Sequence, residues 1–204
     1  MKTRAKILRA ILYDGPASRA ELSKKLGISA SGITDAAARL CEEGILVESG
    51  YRPRDGRGRK NILLDVDPSY KFAFGVGVYG GVVCVGLTTV RGDTLGKRTA
   101  DFPTDAPSEK LIGLIRQMMS DIMRDCCIDS GRIIGIGLCL DGDARKLLGD
   151  EPPAFIPGVR MIAEQADGYI EYSKAYLPVN PEELYIYGCG KVIRDLFISP
   201  SADK

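Results

Sequence analysis

The chain has 204 residues, of which 45% are hydrophobic and 27% charged, with a formal net charge of +1. That balance excludes a disordered, collagenous or coiled-coil chain, and the length allows one large domain or two small ones. The charge is uneven: residues 1–60 carry 13 Lys/Arg against 7 Asp/Glu, a local net of +6, and the remainder carries 15 against 20, a local net of −5. A compact basic front on an acidic remainder is the pattern of a domain that meets a polyanion beside one that does not.

The spacing of Ile7, Leu8, Ile11 and Leu12 predicts a first helix over Thr3 to Tyr13, ended by Asp14-Gly15-Pro16. Ser18 and Glu21 form an S-x-x-E capping box for a second helix running to Leu26, with Leu22 and Leu26 inward. Gly27-Ile28-Ser29 then makes a sharp turn, in which the isoleucine plugs the core and the serine caps a third helix over Ala30 to Glu43. Ile33, Ala37 and Leu40 share one face of that helix, and Gly44 is its expected C-cap. Two helices joined by a short glycine turn form a helix-turn-helix. Ile45–Glu48 and Asn61–Val66 read as strands, and between them lies Tyr51-Arg52-Pro53-Arg54-Asp55-Gly56-Arg57-Gly58-Arg59-Lys60. Three helices, a strand, a basic hairpin and a strand make a winged helix-turn-helix.

A third helix in the major groove would present Ser29, Ser31, Gly32, Thr34 and Asp35 to base edges and phosphates. These side chains are short, and Asp35 accepts from a cytosine amino group but repels phosphate. Phosphate affinity therefore falls to the wing, where Arg52, Arg54, Arg57, Arg59 and Lys60 are five cations within nine residues. Arginine on a thin Gly-Arg-Gly-Arg strand suits a narrow minor groove. The alternative for this segment is a basic linker between domains.

Downstream, Phe72 to Gly81, Val82 to Thr89 and Thr94 to Ala100 read as three strands. Ser108 to Cys126 is an amphipathic helix with Leu111, Ile112, Leu114, Ile115, Met118, Met119 and Ile122 on one face. Ile133 to Leu140 is a buried strand in a parallel position beyond that helical crossover. Gly80-Gly81 reads as a hairpin turn or a phosphate cradle. Asp141 and Asp143 read as part of a capped turn, or as weak candidates for holding a cation or sugar hydroxyls. Tyr169, Tyr172, Tyr176, Tyr185 and Tyr187 fall within nineteen residues and suit a ligand pocket, a dimer face or a cover for the sheet.

No apolar run approaches the roughly 18–20 residues of a membrane span, and Met1-Lys2-Thr3-Arg4 leads into no signal-peptide hydrophobic region. The six cysteines, Cys41, Cys84, Cys126, Cys127, Cys139 and Cys189, form no C-x-x-C pair and read as reduced thiols in a soluble, cytoplasmic protein. Zero histidines excludes a Ser-His-Asp triad, a Cys-His pair and any mixed Cys/His zinc site.

A winged helix, a Gly-Arg-Gly-Arg segment and an apolar strand pair with a Gly-Gly turn, in that order, resemble the ROK family of repressors, open reading frames and sugar kinases. Ile134-Gly135-Ile136-Gly137-Leu138 is similar to that family's later glycine-rich strand. Val179-Asn180-Pro181-Glu182-Glu183-Leu184-Tyr185-Ile186-Tyr187-Gly188-Cys189-Gly190 is similar to its Asn-Pro-Glu stretch leading into a strand and glycine turn. The resemblance touches residues 4–143 and 177–197, and full members are roughly twice this length, which implies a shortened second lobe. In the kinases of the family the first turn reads Asp-x-Gly-Gly-Thr. Here Gly77 stands at the aspartate and Tyr79-Gly80-Gly81 over Gly-Gly-Thr, so the metal-facing carboxylate is replaced. No Asn lies between Asp143 and Asn180 to supply the family's Asn-Asp pair, and the one-histidine, three-cysteine zinc motif has no histidine.

The expected fold is α/β with an N-terminal winged helix-turn-helix, 1–66, followed over 67–204 by a truncated lobe of the actin-like, ribonuclease H-like ATPase type. The expected function is transcription regulation, as a repressor of ROK type in carbohydrate metabolism. Its partners would be double-stranded DNA, a second copy of itself through the amphipathic helix and C-terminal segment, and a small-molecule inducer, with no membrane partner. No catalytic residue, cofactor or metal is expected. Two alternatives are a sugar kinase with an accessory basic domain, in which Asp141 would carry catalysis, and a protein-interaction module.

Overall fold

A computed structural model describes the backbone of residues 2–52, 61–103, 105–149, 154–165, 169–172, 175–178 and 180–198. It divides into two compact units, Met1–Tyr70 and Lys71–Lys204.

The first unit runs α1 (Thr3–Asp14), β1 (Ala17–Ser18), α2 (Arg19–Leu26), α3 (Ala30–Glu42), β2 (Leu46–Arg52) and β3 (Asn61–Val66). Its apolar spacing is used as predicted: Ile7, Leu8 and Ile11 of α1, Leu22 of α2, and Ile33 and Leu40 of α3 are buried together with Leu46 and Leu64 of the sheet. Leu26 and Ile28 are half-buried at the margin of that core. The strands form an antiparallel sheet in the order β1-β3-β2. β1 is two residues long and pairs Ala17 with Leu64 and Ser18 with Leu63. No local pattern announces it, because its partner lies far along the chain. One expectation shifts by a residue: the C-cap of α3 is Glu43, still helical at φ −72°, and Gly44 is the first residue outside.

The second unit holds β4 (Phe72–Tyr79), β5 (Val82–Thr89), β6 (Thr94–Asp101), α4 (Ser108–Asp125), β7 (Ile133–Leu140), α5 (Gly142–Leu148) and β8 (Met161–Gln165). These are followed by β9 (Tyr169–Tyr172), β10 (Ala175–Pro178) and α6 (Leu184–Val192). Five strands lie in the order β6-β5-β4-β7-β8, while β9 and β10 pair separately. β4, β5 and β6 are antiparallel neighbours, whereas β7 pairs with β4 and β8 with β7 in parallel. Reaching a parallel neighbour needs a crossover, and α4 supplies it.

Period-2 alternation gives this sheet one large face and one small face. Phe72, Phe74, Val76 and Val78 of β4, Val83, Val85 and Leu87 of β5, and Ile136, Leu138 and Leu140 of β7 share a core with Leu111, Ile115, Met118, Met119 and Ile122 of α4. The apolar stripe of α4 is thus spent on its own sheet. The intervening residues are Ala73, Gly75 and Gly77 of β4, Cys84 and Gly86 of β5, and Gly135, Gly137 and Cys139 of β7.

Against that small face lies α6, in place of the expected strand and glycine turn. Leu184-Tyr185-Ile186-Tyr187 alternates like a strand, but the chain enters it through a 3-10 turn at Pro181–Glu183. The Asn180 side chain accepts from the Glu182 N–H at 3.2 Å, and its carbonyl accepts from the Glu183 N–H at 3.0 Å. Gly188 then lets two backbones meet: a Cβ on Gly137 would lie 2.0 Å from the Gly188 carbonyl oxygen, and one on Gly75 1.8 Å from that of Tyr185. Tyr185 covers Gly86, and its hydroxyl shares a 3.1 Å hydrogen bond with Thr94.

Among the described residues no helix is long and apolar enough to cross a membrane.

Candidate functional site

In the first unit the turn between α2 and α3 is fixed from several sides. Ser18 caps α2 by accepting from the Glu21 N–H at 3.3 Å, and the Glu21 carboxylate accepts from the Ser18 N–H at 2.7 Å, completing the capping box. Gly27 ends α2 in the left-handed region, at φ 63° and ψ 31°, a conformation a side chain would disfavour. The Ser23 hydroxyl donates to the Ile28 carbonyl at 2.7 Å across the turn. Ser29 then caps α3 by accepting from the Gly32 N–H at 3.2 Å.

These bonds set what the exposed face of α3 can offer. Ser29, Ser31, Thr34 and Asp35 are all exposed, opposite the buried Ile33, Ala37 and Leu40. The Ser29 and Ser31 hydroxyls share a 3.3 Å hydrogen bond. Thr34 donates its hydroxyl to the Ala30 carbonyl at 2.7 Å. Its remaining polar capacity is as an acceptor, suited to an exocyclic amino group, and its methyl suits a thymine methyl. Around Ser29, Ser31 and Thr34 the face is therefore built of short side chains and able to approach a surface closely.

Arg39 is a further cation of α3 that neither the capping residues nor the basic segment singles out. It is exposed, and its place eight residues after Ser31 and four after Asp35 puts it on the same stripe of α3. Its helical phase was the available signal. Three other cations of the unit are engaged with acids: Arg4 with Glu43 at 2.9 Å, Arg19 with Glu48 at 3.7 Å and Lys25 with Asp14 at 2.7 Å.

β2 and β3 lead into the wing, with Tyr51 opposite Ile62 and Arg52 opposite Asn61. Arg52 is placed by its backbone at the end of β2, while Arg54, Arg57, Arg59 and Lys60 lie outside the described residues.

The second unit brings Asp141 to the hairpin turn of β4 and β5. Gly80 and Gly81 have φ of 58° and 80°, the positive pair that a two-residue hairpin turn requires. Asp141 caps α5: one carboxylate oxygen accepts from the Ala144 N–H at 2.8 Å and the other from the Gly80 N–H at 2.8 Å. The Asp141 N–H donates to the Val78 carbonyl at 2.9 Å. Asp143 is exposed and paired with Lys146 at 3.3 Å. The cavity beside them, lined by Val78, Gly81, Phe102, Leu111, Ala144 and Leu147 with both aspartates, has a volume of about 20 Å³. That space holds a water molecule, not a sugar.

Cys84 and Cys189 are buried on the small face of the sheet. The Cys189 thiol donates to the Ala73 carbonyl at 3.4 Å, and burial pushes its pKa up to about 12. Burial likewise raises that of Cys84. Cys127 is exposed at the end of α4. Tyr185 is buried and Tyr187 half-buried, while the side chains of Tyr169, Tyr172 and Tyr176 lie outside the described residues. Among the described residues no three His, Cys, Asp or Glu side chains are grouped to hold a metal ion.

Residues 2–47 match a family model of winged helix-turn-helix DNA-binding domains. The chain is 24% identical over 140 residues to a putative xylose repressor of Caldicellulosiruptor sp. (strain Rt8B.4), covering 69% of this chain and 35% of that protein. It is 25% identical over 154 residues to the xylose repressor of Bacillus subtilis (strain 168), covering 74% and 38% respectively. The chain thus spans little more than a third of the length of the curated relatives it matches. A ROK-family transcriptional regulator described as a homologue of the E. coli MLC protein shares the fold, with a TM-score of 0.55 at 15% identity over 79% of this chain and 44% of that one. Sequence and fold agree: the chain carries a winged helix-turn-helix DNA-binding domain, is similar in sequence to xylose repressors, and shares its fold with a ROK-family transcriptional regulator.

Proposed function

We propose that the chain is a sequence-specific DNA-binding transcriptional regulator acting as a repressor, with a second unit that performs no catalysis. The observation that carries this reading is the α2–α3 turn, locked by Gly27 and Ser23, which presents an exposed, small-residue face of α3 beside a strand pair leading into an arginine-rich wing. α3 enters the major groove with Ser29, Ser31, Thr34 and Asp35 toward bases. Arg52, Arg54, Arg57, Arg59 and Lys60 hold the backbone and the adjacent minor groove. Two copies bind as a dimer, because one small module makes a modest DNA interface and two-fold symmetry doubles it.

The strand order β6-β5-β4-β7-β8, three antiparallel strands extended by two parallel ones, supports reading the second unit as a lobe of actin-like, ribonuclease H-like type. Catalytic silence rests on three residues. Gly77 replaces the family's aspartate, Tyr79 intrudes on the phosphate turn, and Asp141 has both carboxylate oxygens engaged by backbone amides. A small-molecule inducer, a sugar by analogy with the named xylose repressors, would bind elsewhere than the 20 Å³ cavity.

Selection of duplexes from a random pool by the full chain tests the reading. A recurring, two-fold-related motif is expected, and recovery without enrichment overturns it. Assay for ATP turnover with hexoses tests the kinase alternative: turnover that disappears in Asp141→Asn would establish it.

A further inference from the structure

α3 carries both signs of charge on its open face. Asp35, Arg39 and Glu42 are exposed, on the side away from Ile33, Ala37 and Leu40. Arg39 stands four residues after Asp35 and three before Glu42, both spacings at which a helix brings side chains into ion-pairing range. It forms an ion pair with neither among the described residues, although Arg4, Arg19 and Lys25 of the same unit all do so with their acids. Without Arg39 this face would hold two carboxylates and no cation, and duplex phosphates would repel it.

Position along the helix separates Arg39 from the base-facing residues. Ser31, Thr34 and Asp35 lie in the first two turns, the part of a recognition helix that meets base edges. Arg39 is nine residues beyond Ala30, about 13 Å along the axis at 1.5 Å per residue. The major groove is about 12 Å wide, so a helix entering by its leading end carries that position to the groove's edge, where the phosphodiester backbone runs. A guanidinium there has five donors in a planar fork that matches phosphate oxygens.

We propose that Arg39 is a phosphate anchor of α3: it grips the DNA backbone at the groove edge and holds the helix in register while Ser31, Thr34 and Asp35 face the bases. This rests on the DNA-binding reading above and adds a cation outside the wing.

The test uses the full chain and a duplex that the wild type recovers from a random pool, with Kd measured between about 50 and 200 mM salt. Arg39→Ala is expected to weaken binding to every duplex alike and to flatten the log–log salt slope by about 0.9, so that its deficit shrinks about threefold across that range. Arg39→Lys keeps the charge and restores the slope. Because Arg39 is exposed and holds up no other group, unfolding midpoints of all three proteins should coincide, which separates contact from folding. An unchanged slope in Arg39→Ala overturns the anchor while leaving DNA binding intact. So does a relaxed preference at one base pair with the slope kept, since that is base readout. If the wild type recovers no duplex, the anchor and the DNA-binding reading fail together.

Discussion

Ser31 and Asp141 are both polar residues at the leading end of a helix, yet one stands in open surface and the other has both oxygens occupied. The contrast extends to the units that hold them. In the first unit, polar side chains mostly satisfy one local bond and keep a free side, as Thr34 does after donating to Ala30. In the second, groups that look functional in the sequence serve packing: Asp141 ties a hairpin to a helix, and the glycines of β4 and β7 form a seat for α6. A motif's residue types therefore say less about chemistry than the capacity left over once local bonds are counted.

The strongest challenge to that contrast is Gly137→Val. Its Cβ would fall 2.0 Å from the Gly188 carbonyl oxygen, a clash between two backbones that no rotamer relieves. Loss of stability on the order of 4 kcal/mol or more is expected, confined to the second unit, while the helical transition of the first persists in urea. Cys189 reports the same event. In the folded unit its thiol, raised to about 12, stays protonated and unreactive at pH 8, and in the unfolded unit it returns to its ordinary value and alkylates readily. The sign follows from linkage: a thiol raised on folding stabilises the fold below its unfolded value and ceases to do so as pH climbs through about 12. A folded second unit in Gly137→Val would show that α6 is not seated as described.

Asp141→Ala comes next, at about 2 kcal/mol, because it removes the cap of α5 and the hairpin tie together. Asp141→Asn keeps one acceptor and should lose less. Equal losses in the two variants would mean that only one of the two bonds matters. Thermal unfolding of the second unit measures both.

The sequence disclosed the first unit better than the second, for a physical reason. Caps and turns are local: Ser18 with Glu21, and Gly27 with Ser29, sit within a few residues of what they organise. β1 escaped notice because two residues carry no period and its partner Leu64 lies on a distant strand. The large face of the sheet is visible in Phe72, Phe74 and Val76, but the small face is a negative feature. Glycines two apart in β4 and β7 announce that something approaches closely, without saying what. Leu184–Tyr187 mimics a strand because local alternation cannot show that Gly188 will meet Gly137. On the proposed interface, Ser31, Thr34 and Asp35 were legible from their place behind the turn, whereas Arg39 required the helix's phase to be carried two turns further.

Ser18→Ala sharpens the picture of the first unit at about 1 kcal/mol. Only half of the capping box goes, since the Glu21 carboxylate still accepts from the backbone N–H of residue 18. Glu21→Ala in the same background removes the second half. The loss in the double variant, read from urea midpoints, should equal the sum of the two single losses if the halves act independently, and fall short of it if each half needs the other.

The smallest expected effect separates committed cations from uncommitted ones. Lys25 reaches Asp14 at 2.7 Å, but both side chains are about half exposed, at 52% each. Such a pair contributes from zero to about 1 kcal/mol, because water screens it and two flexible side chains must be held. Lys25→Met should thus shift the unfolding midpoint slightly at low salt and not at all at 1 M, where the Debye length is about 3 Å. Its DNA-binding slope should stay near the wild type's, because Lys25 is already neutralised by its own acid, whereas the slope of Arg39→Ala should fall. If Lys25→Met flattened the slope as far as Arg39→Ala, then an ion pair in the free protein would be no guide to which cations reach phosphate, and the inference drawn from Arg39's lack of a partner would lose its footing.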